Sequence, residues 1–76
     1  MITVKLYGLL RIESGIRERN IEAASIQDVR NDLLMQGISR KELNSCIILV
    51  NGKPANKRST LKSGDVVQLL SPVAGG

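Results

Sequence analysis

The chain has 76 residues, with 11 Lys and Arg against 7 Asp and Glu and a formal net charge of +4. This length suits one small domain, and its core material is aliphatic, with 8 Ile, 10 Leu and 6 Val but one Tyr and no Phe or Trp. The lack of histidine excludes imidazole catalysis and the common zinc sites, and a single cysteine excludes an internal disulfide. No apolar run reaches the ~18 residues of a membrane span. We therefore expect a cytoplasmic protein with a thin core and no membrane segment.

The first third of the sequence predicts two strands. Residues 2–7, ITVKLY, alternate apolar and polar side chains, which is typical of a half-buried strand. Residues 9–15 are expected to form a turn into a weaker strand over residues 16–23, with Ile16 and Ile21 buried. The charged stretch inside this second strand suits the edge of a sheet, where charges discourage pairing with other chains.

The clearest helix is predicted between Ser25 and Gly37. Ser25 is a suitable N-cap, Asp28 favours the positive end of the helix dipole, and Gly37 suits the residue that ends a helix. The apolar side chains recur at helical spacing. The predicted buried face consists of Ile26, Val29, Leu33 and Leu34, extended by Met35 and Ile38.

The second half of the sequence predicts a hairpin and a last strand. Residues 46–50, CIILV, form a continuous apolar run that predicts a strand covered on most sides, after a short helical turn or loop. Asn51-Gly52 predicts a type I′ hairpin turn, and Pro54 confines the returning strand, residues 53–57, to an edge. A turn over residues 61–65 then leads into the last strand, which ends near Leu70.

These elements predict an α+β fold. The first and last strands should pair in parallel at the centre of a mixed sheet of four to five strands, with one main helix across one face. We expect a domain over residues 1–70 and an extended tail over residues 71–76, which should be flexible after Pro72 because these residues have little to bury. The predicted core consists of Ile2, Val4, Leu6, Val29, Leu33, Ile48, Val50, Val67 and either Leu69 or Leu70.

The tail, SPVAGG, is the most informative stretch for function. Pro72 has no N–H for a sheet ladder and makes the preceding residue extended. Fully extended, the tail would reach roughly 20 Å, and glycines without a Cβ let a backbone enter a narrow slot. A slender arm that ends in a carboxylate suits delivery into the active site of another protein. The plainer interpretation is a frayed chain end.

Four motifs together carry a family resemblance: ITVKL at residues 2–6, the Asn51-Gly52 turn, LKSGDVV at residues 61–67 and the SPVAGG tail. With them the chain resembles the ubiquitin-like β-grasp sulfur carriers of the MoaD/ThiS type. This family includes the small subunit of molybdopterin synthase and the thiamin-pathway carrier, and the proline-valine tail resembles the molybdopterin side more. That family often has two aromatics and two prolines before the valine, whereas residues 69–72 are LLSP here.

The resemblance implies a sulfur relay. A partner adenylating enzyme would use ATP and magnesium to convert the Gly76 carboxylate to an acyl-adenylate, and sulfur would replace the adenylate to give a thiocarboxylate. Gly75, Ala74, Val73 and Pro72 would thread the tail into the partner.

The same resemblance implies the partners and the pathway. The large subunit of a sulfur-accepting synthase would receive the sulfur, in molybdopterin biosynthesis above all. This chain would then be a carrier and not an enzyme, with no cofactor or metal of its own, and a monomer when free.

Several residues have two interpretations. Cys46 lies in an apolar run and is expected to be a buried strand residue rather than a redox thiol. Lys53 and Lys62 belong to a basic stretch that either steers an acidic partner or is a solvated surface. Leu69 is a docking candidate if it faces outward and a core residue otherwise. Nucleic-acid binding is not expected, because stacking aromatics are nearly absent.

Three functions remain open at the level of the sequence. The sulfur carrier comes first. A ubiquitin-like modifier joined through Gly76 to lysines of other proteins uses the same tail and the same carboxylate. The third is a binding module whose tail does no covalent chemistry.

Overall fold

A computed structural model of the chain describes residues 1–72. Eight elements follow one another: β1 (Ile2–Tyr7), α1 (Leu9–Ser14), β2 (Glu18–Ile21), α2 (Ile26–Met35), α3 (Arg40–Ser45), β3 (Ile47–Val50), β4 (Lys53–Pro54) and β5 (Val66–Leu70). The strands form one five-stranded sheet in the order β2-β1-β5-β3-β4. β1 and β5 run parallel at its centre, and the other neighbours are antiparallel. The predicted α+β architecture, with a central parallel pair and two edge strands, is confirmed.

One face of the sheet carries the core. Alternation along β1 turns Ile2, Val4 and Leu6 inward, each 1% exposed, and β5 adds Val67 and Leu69, both fully buried. The predicted core is confirmed except at Val50, which is half-buried and packs against the core from its edge. The full set of buried apolar residues is Ile2, Val4, Leu6, Leu10, Ile21, Ile26, Val29, Leu33, Ile38, Leu43, Ile48, Leu61, Val67 and Leu69.

Both ends of α2 form as the sequence predicts. The Ser25 hydroxyl accepts a hydrogen bond from the Asp28 N–H at 3.3 Å, and the Asp28 carboxylate accepts one from the Ala24 N–H at 2.9 Å. At the other end Gly37 has a φ of 95°, and its N–H and that of Ile38 bond back to the carbonyls of Leu34 and Leu33. This Schellman arrangement turns Ile38 into the core beside Leu33.

The expectation that Met35 extends the buried face is wrong. Its side chain is 85% exposed, whereas Leu33, two residues earlier, is fully buried. Residues two apart point to nearly opposite sides of a helix, so both cannot face the core. Ile38, which follows the turn at Gly37, is by contrast buried.

The turn expected over residues 9–15 is a helix, α1. Only Leu10 of this helix is buried, and Ile12 is 75% exposed. A single buried residue leaves no apolar periodicity, which is why the sequence pattern does not reveal the helix. Gly15 ends it in the left-handed conformation, with its N–H bonded to the Arg11 carbonyl at 2.9 Å.

The β3–β4 hairpin has the predicted type I′ turn, with positive φ at Asn51 (51°) and Gly52 (83°). The expectation that β3 is covered on most sides is wrong at Ile47, which is 55% exposed. Within residues 1–72 the helices bury one face of the sheet, so the neighbouring Ile48 is buried while Ile47 points away.

Charge also joins the sheet edge to the main helix. Arg19, in the polar edge strand β2, forms two hydrogen bonds with the Asp32 carboxylate of α2, at 2.8 and 3.0 Å. These bonds raise the pKa of the Arg19 guanidinium. The arginine, although still partly exposed, therefore reaches across to the helix, which the polar character of the strand does not show.

Candidate functional site

The base of the tail is the point where the chain leaves the sheet. β5 ends at Leu70, and the hydroxyl of Ser71 then donates a hydrogen bond to the Tyr7 carbonyl at 3.1 Å. The same oxygen accepts a longer hydrogen bond, 3.4 Å, from the Leu10 N–H in the first turn of α1. Gly8 is the N-cap of α1 and has no side chain for this role. Ser71 therefore acts as a cap supplied from the far end of the sequence and ties the base of the tail to α1.

Gly8 makes this contact possible. Its backbone has φ 65° and ψ −140°, a region that residues with a Cβ avoid. A Cβ built at Gly8 would lie 2.5 Å from the Ser71 hydroxyl oxygen. A side chain at position 8 would therefore meet Ser71 directly and displace the base of the tail.

Beyond Ser71 the structure describes one more tail residue, Pro72, which is exposed. A cleft of about 350 Å³ opens beside it between α1 and α3, with Leu9, Ser45, Ser71 and Pro72 in its lining. The predicted threading residues 73–75, the reacting residue Gly76 and the mobility expected of them lie outside the described residues. Their roles stay predictions.

An apolar row crosses the outer face of the sheet next to the tail base. Tyr7 on β1 pairs in register with Leu70 on β5, which pairs with Ile47 on β3. Ile47 is 55% exposed, and Tyr7 and Leu70 are half-buried. We name Tyr7, Leu70 and Ile47 the outer row. The sequence pattern does not reveal the outer row, because each of its residues is a common strand residue. Only the strand register places the three side by side.

Leu69 is not a docking residue. It is fully buried in the core, which excludes direct contact with a partner. Successive strand residues face opposite sides of the sheet, so Leu70 takes the outer position and Leu69 the inner one. The outer row therefore replaces Leu69 as the apolar surface of the sheet beside the tail base.

Lys53 and Lys62 are exposed, but they lie at the far end of the sheet from the tail base. Lys53 pairs with Val50, which pairs with Val67 near the start of β5. Lys62 lies in the turn before β5, with its N–H bonded to the Asp65 carboxylate at 2.9 Å. The five residues of β5 span roughly 16 Å between this end and the tail base. The structure therefore separates the two lysines from the tail.

Cys46 is half-buried immediately before β3, and its thiol donates to the Leu43 carbonyl at 3.0 Å. Burial raises the pKa of the Cys46 thiol, although the nearby Arg30 guanidinium acts in the opposite direction. Arg30 is 4% exposed and bonds to the Leu43 carbonyl and to Asn44, so it holds the end of α3. The prediction of a buried strand residue is wrong in its placement, because Cys46 caps the end of α3 and is only half-buried. A raised thiol pKa means little thiolate at neutral pH, which favours a structural over a redox role.

The described part of the chain lacks two kinds of functional feature. Within residues 1–72, no cluster of three or more His, Cys, Asp or Glu side chains is placed to hold a metal ion. No helix among the same residues has the length and apolar character needed to cross a membrane.

The comparison with protein families decides the class of the protein. The model of the ThiS family matches residues 4–76, a range that begins inside β1 and reaches the Gly-Gly end. The chain belongs to the ThiS family. Proteins of this family are small sulfur carriers rather than catalysts, so the predicted resemblance and the assignment as a non-enzyme are confirmed. Among curated proteins, none matches this ThiS-family chain.

Solved structures share the fold over nearly the whole chain. One is a chain in the complex of subunits 1 and 2 of molybdopterin-converting factor from Helicobacter pylori, with 29% identity, a TM-score of 0.76 and coverage of 99% of this chain and 97% of that one. SAMP1 from Haloferax volcanii has 22% identity and a TM-score of 0.81, with 99% and 98% covered. A chain of the BexX/CysO complex from Amycolatopsis orientalis has 20% identity and a TM-score of 0.75, with both chains fully covered at 100%. The ubiquitin-like β-grasp fold is therefore confirmed.

Proposed function

We propose that this chain carries sulfur as a thiocarboxylate on Gly76 and donates it in molybdopterin biosynthesis. The observation that carries the proposal is the ThiS-family match, which extends through residue 76. The molybdopterin pathway is supported by the proline-valine tail and by the 29% identical chain of the Helicobacter pylori molybdopterin-converting factor. A thiamin-pathway acceptor is the alternative within the same family.

The chemistry needs a carboxylate that can be activated. An α-carboxyl has a pKa of about 3.3–3.7, so the Gly76 carboxylate is ionised at neutral pH and its oxygen can attack the α-phosphorus of ATP. Pyrophosphate leaves, and the product is an acyl-adenylate at Gly76. Sulfide-level sulfur, as hydrosulfide, then attacks the acyl carbon and displaces AMP, and loss of the S–H proton leaves a thiocarboxylate at Gly76. ATP and magnesium belong to the adenylating partner in this scheme.

Two partners follow from this chemistry, an adenylating enzyme and the large subunit of a sulfur-accepting synthase. Two of the similar structures are themselves complexes with a second protein. The outer row of Tyr7, Leu70 and Ile47 suits such docking, because it is apolar, partly exposed and adjacent to the tail base. A partner seated there would lie next to the base of the tail at Ser71.

A ubiquitin-like modifier is the second candidate. The chain is 22% identical to SAMP1 and 20% identical to the chain of a second structure, named small archaeal modifier protein 1. At these identities the likeness concerns the fold alone. Both functions begin with the same adenylation. Mass spectrometry of the native protein separates them, because an oxygen-to-sulfur exchange at the terminus marks the carrier and lysine-linked conjugates mark the modifier.

The test of activation uses two variants of the tail, one without Gly76 and one with a residue added after it. Removing one residue shortens the arm by roughly 3.3–3.6 Å, and misplacement of about 1 Å can cost 10²-fold in a positioned reaction. Each variant is mixed with ATP, magnesium and the adenylating enzyme of the same genome, and pyrophosphate exchange is followed. The wild-type chain should exchange, and both variants should be severely impaired.

The melting temperature and far-UV circular dichroism are the folding control. Both should stay near wild type, because the buried core is built from residues 2 to 69. Exchange at the wild-type rate by the truncated chain would contradict the proposal and favour a binding module whose tail does no covalent chemistry.

A further inference from the structure

A basic groove lies beside the outer row, on the β1–β2 side of the sheet. It has a volume of about 430 Å³, and Lys5, Tyr7, Arg11, Arg17 and Glu18 contribute to its lining. Three elements or their flanks meet here, because Lys5 lies on β1, Arg11 on α1 and Arg17 just before β2. The Leu6 N–H bonds to the Arg17 carbonyl at 3.0 Å, which brings Arg17 alongside the end of β1.

The described residues provide no ion-pair partner for the cationic side chains of this groove. Within residues 1–72, none of Lys5, Arg11 and Arg17 has a carboxylate within 4.0 Å. Arg19, on the same edge strand, is by contrast fully engaged with Asp32. Three cations against the single carboxylate of Glu18 leave the groove with an unbalanced positive charge.

The groove is continuous with the surface next to the tail. Tyr7 belongs both to the groove and to the outer row, and its carbonyl accepts the hydrogen bond from the Ser71 hydroxyl. A protein that covers the outer row to receive the tail therefore also meets the groove. The lysines at the other end of the sheet, Lys53 and Lys62, lie outside such a footprint.

We propose that this groove binds an acidic peptide segment of the adenylating enzyme that activates the tail, an inference that rests on the proposed function. The positive charge of the groove favours an anionic ligand, and the carboxylate of Glu18 favours one kind of anion over another. Glu18 lies directly across from Lys5 in the β1–β2 register. A phosphate offers almost only acceptor oxygens and is repelled there, whereas a peptide supplies carboxylates for the cations and backbone N–H groups for Glu18. A peptide segment therefore fits the mixed lining better than a compact phosphate.

The first experiment needs no enzyme. An octaglutamate peptide and, separately, inorganic phosphate are titrated into the ¹⁵N-labelled chain, and amide shifts are followed. The peptide should shift the amides around Lys5, Arg11 and Arg17. The double variant Arg11→Gln with Arg17→Gln should bind the peptide roughly five- to thirtyfold more weakly. It loses two exposed ion pairs with the peptide, each of about 0.5–1 kcal/mol.

The matched control is Lys53→Gln with Lys62→Gln, which removes the same charge from equally exposed positions at the far end of the sheet. It should leave the peptide affinity nearly unchanged. Equal weakening by both pairs, or shifts confined to the far end, would overturn the proposal. Phosphate that shifts the same amides with equal or higher affinity would assign the groove to a small anion instead.

The second experiment uses the adenylating enzyme and the chain without Gly76, so that binding is measured without chemistry. The arginine pair should slow association at low salt more than the lysine pair, and the difference should fade as salt is added. Normal pyrophosphate exchange by wild type with equal association rates for both pairs would refute the groove and leave the function intact. A lack of exchange by wild type would refute the function itself, while the peptide titration still reports on the groove.

Discussion

At the scale of single residues, the most informative pair is Gly8 and Ser71. The Ser71 hydroxyl bridges the Tyr7 carbonyl and the Leu10 N–H, and Leu10 lies 61 residues before Ser71 in sequence. Position 71 is one of the two at which the sulfur carriers often have a proline. A hydroxyl there does what a proline cannot, because it caps α1 and connects the tail base to it.

The Gly8–Ser71 contact predicts a non-additive pair of substitutions. Ser71→Ala should cost about 0.5–2 kcal/mol of unfolding free energy, as loss of a helix cap does. Gly8→Ala should cost more, because it adds backbone strain to the contact with the Ser71 oxygen. The double variant should cost less than the sum, because Ser71→Ala removes the atom against which the new Cβ collides. Urea unfolding of the three variants measures this cycle.

Gly15→Ala is the matched control for backbone strain. Gly15 also has a positive φ, 73°, but a Cβ there meets nothing within 4 Å. It should combine additively with Ser71→Ala. Additivity of Gly8→Ala with Ser71→Ala as well would show that the two residues do not collide.

At the scale of elements, the clearest packing unit is α2 against the sheet. Its cap residues and its core-facing side chains follow directly from local sequence, and Leu33 is fully buried at its centre. Leu33→Ala should therefore lower the unfolding free energy by about 2–5 kcal/mol. Met35→Ala on the same helix, at an 85% exposed position, should stay within about 0.5 kcal/mol. A cost below ~1 kcal/mol for Leu33→Ala would mean that the core is not packed as described.

A second element-scale feature joins the β3–β4 turn to the start of β5. The Asn51 side chain donates to the Asp65 carboxylate at 3.0 Å and accepts from the Val66 N–H at 3.0 Å. The Lys62 N–H and the Asn51 amide both bond to Asp65, and together they lower the pKa of its carboxyl group. The turn that the sequence predicts at residues 61–65 is thus held by hydrogen bonds to the ionised form of Asp65.

This pKa shift predicts a contribution to stability with a definite sign. A carboxyl whose pKa is lower in the folded state stabilises that state above its unfolded pKa of about 3.9 and loses the contribution as the pH falls through the folded value. The unfolding free energy of wild type should therefore fall below about pH 4 more steeply than that of Asp65→Asn. NMR titration should show the Asp65 pKa rising in Asn51→Ala. An unchanged pKa would mean that Asn51 does not bond to the carboxylate.

At the scale of the whole molecule, the tail base, the outer row and the basic groove lie at the same end of the sheet. The central parallel pair brings this about, because β1 and β5 end side by side and place Tyr7 next to Leu70. The proposed docking surface and the base of the tail at Ser71 therefore share one end of the sheet.

The outer row predicts a binding defect without a folding defect. Ile47→Asp should raise the Kd for the adenylating enzyme about tenfold or more, because a charge would enter an apolar contact. Its melting temperature should change little, because Ile47 is already 55% exposed. Met35→Asp, an exposed apolar position on α2, is the matched control and should bind normally. Equal loss in both variants would remove the outer row from the interface.

The sequence by itself determined whatever is decided by neighbours in the chain. The N-cap at Ser25, the Gly37 end of α2 and the Asn51-Gly52 turn all follow from local backbone chemistry, and the alternation of residues 2–7 predicts the central strand. The Gly-Gly end, with the motifs around it, led to the right family.

Only the tertiary structure decided features that depend on residues distant in sequence. It revealed α1, whose single buried residue leaves no periodic signal, and it showed that Leu69 faces the core while Leu70 faces outward. It also joined Ser71 to Gly8, aligned the outer row and gathered three unpaired cations of the described chain into one groove. Strand register and the meeting of chain ends are set by packing across the whole sheet, and no local stretch of sequence contains that information.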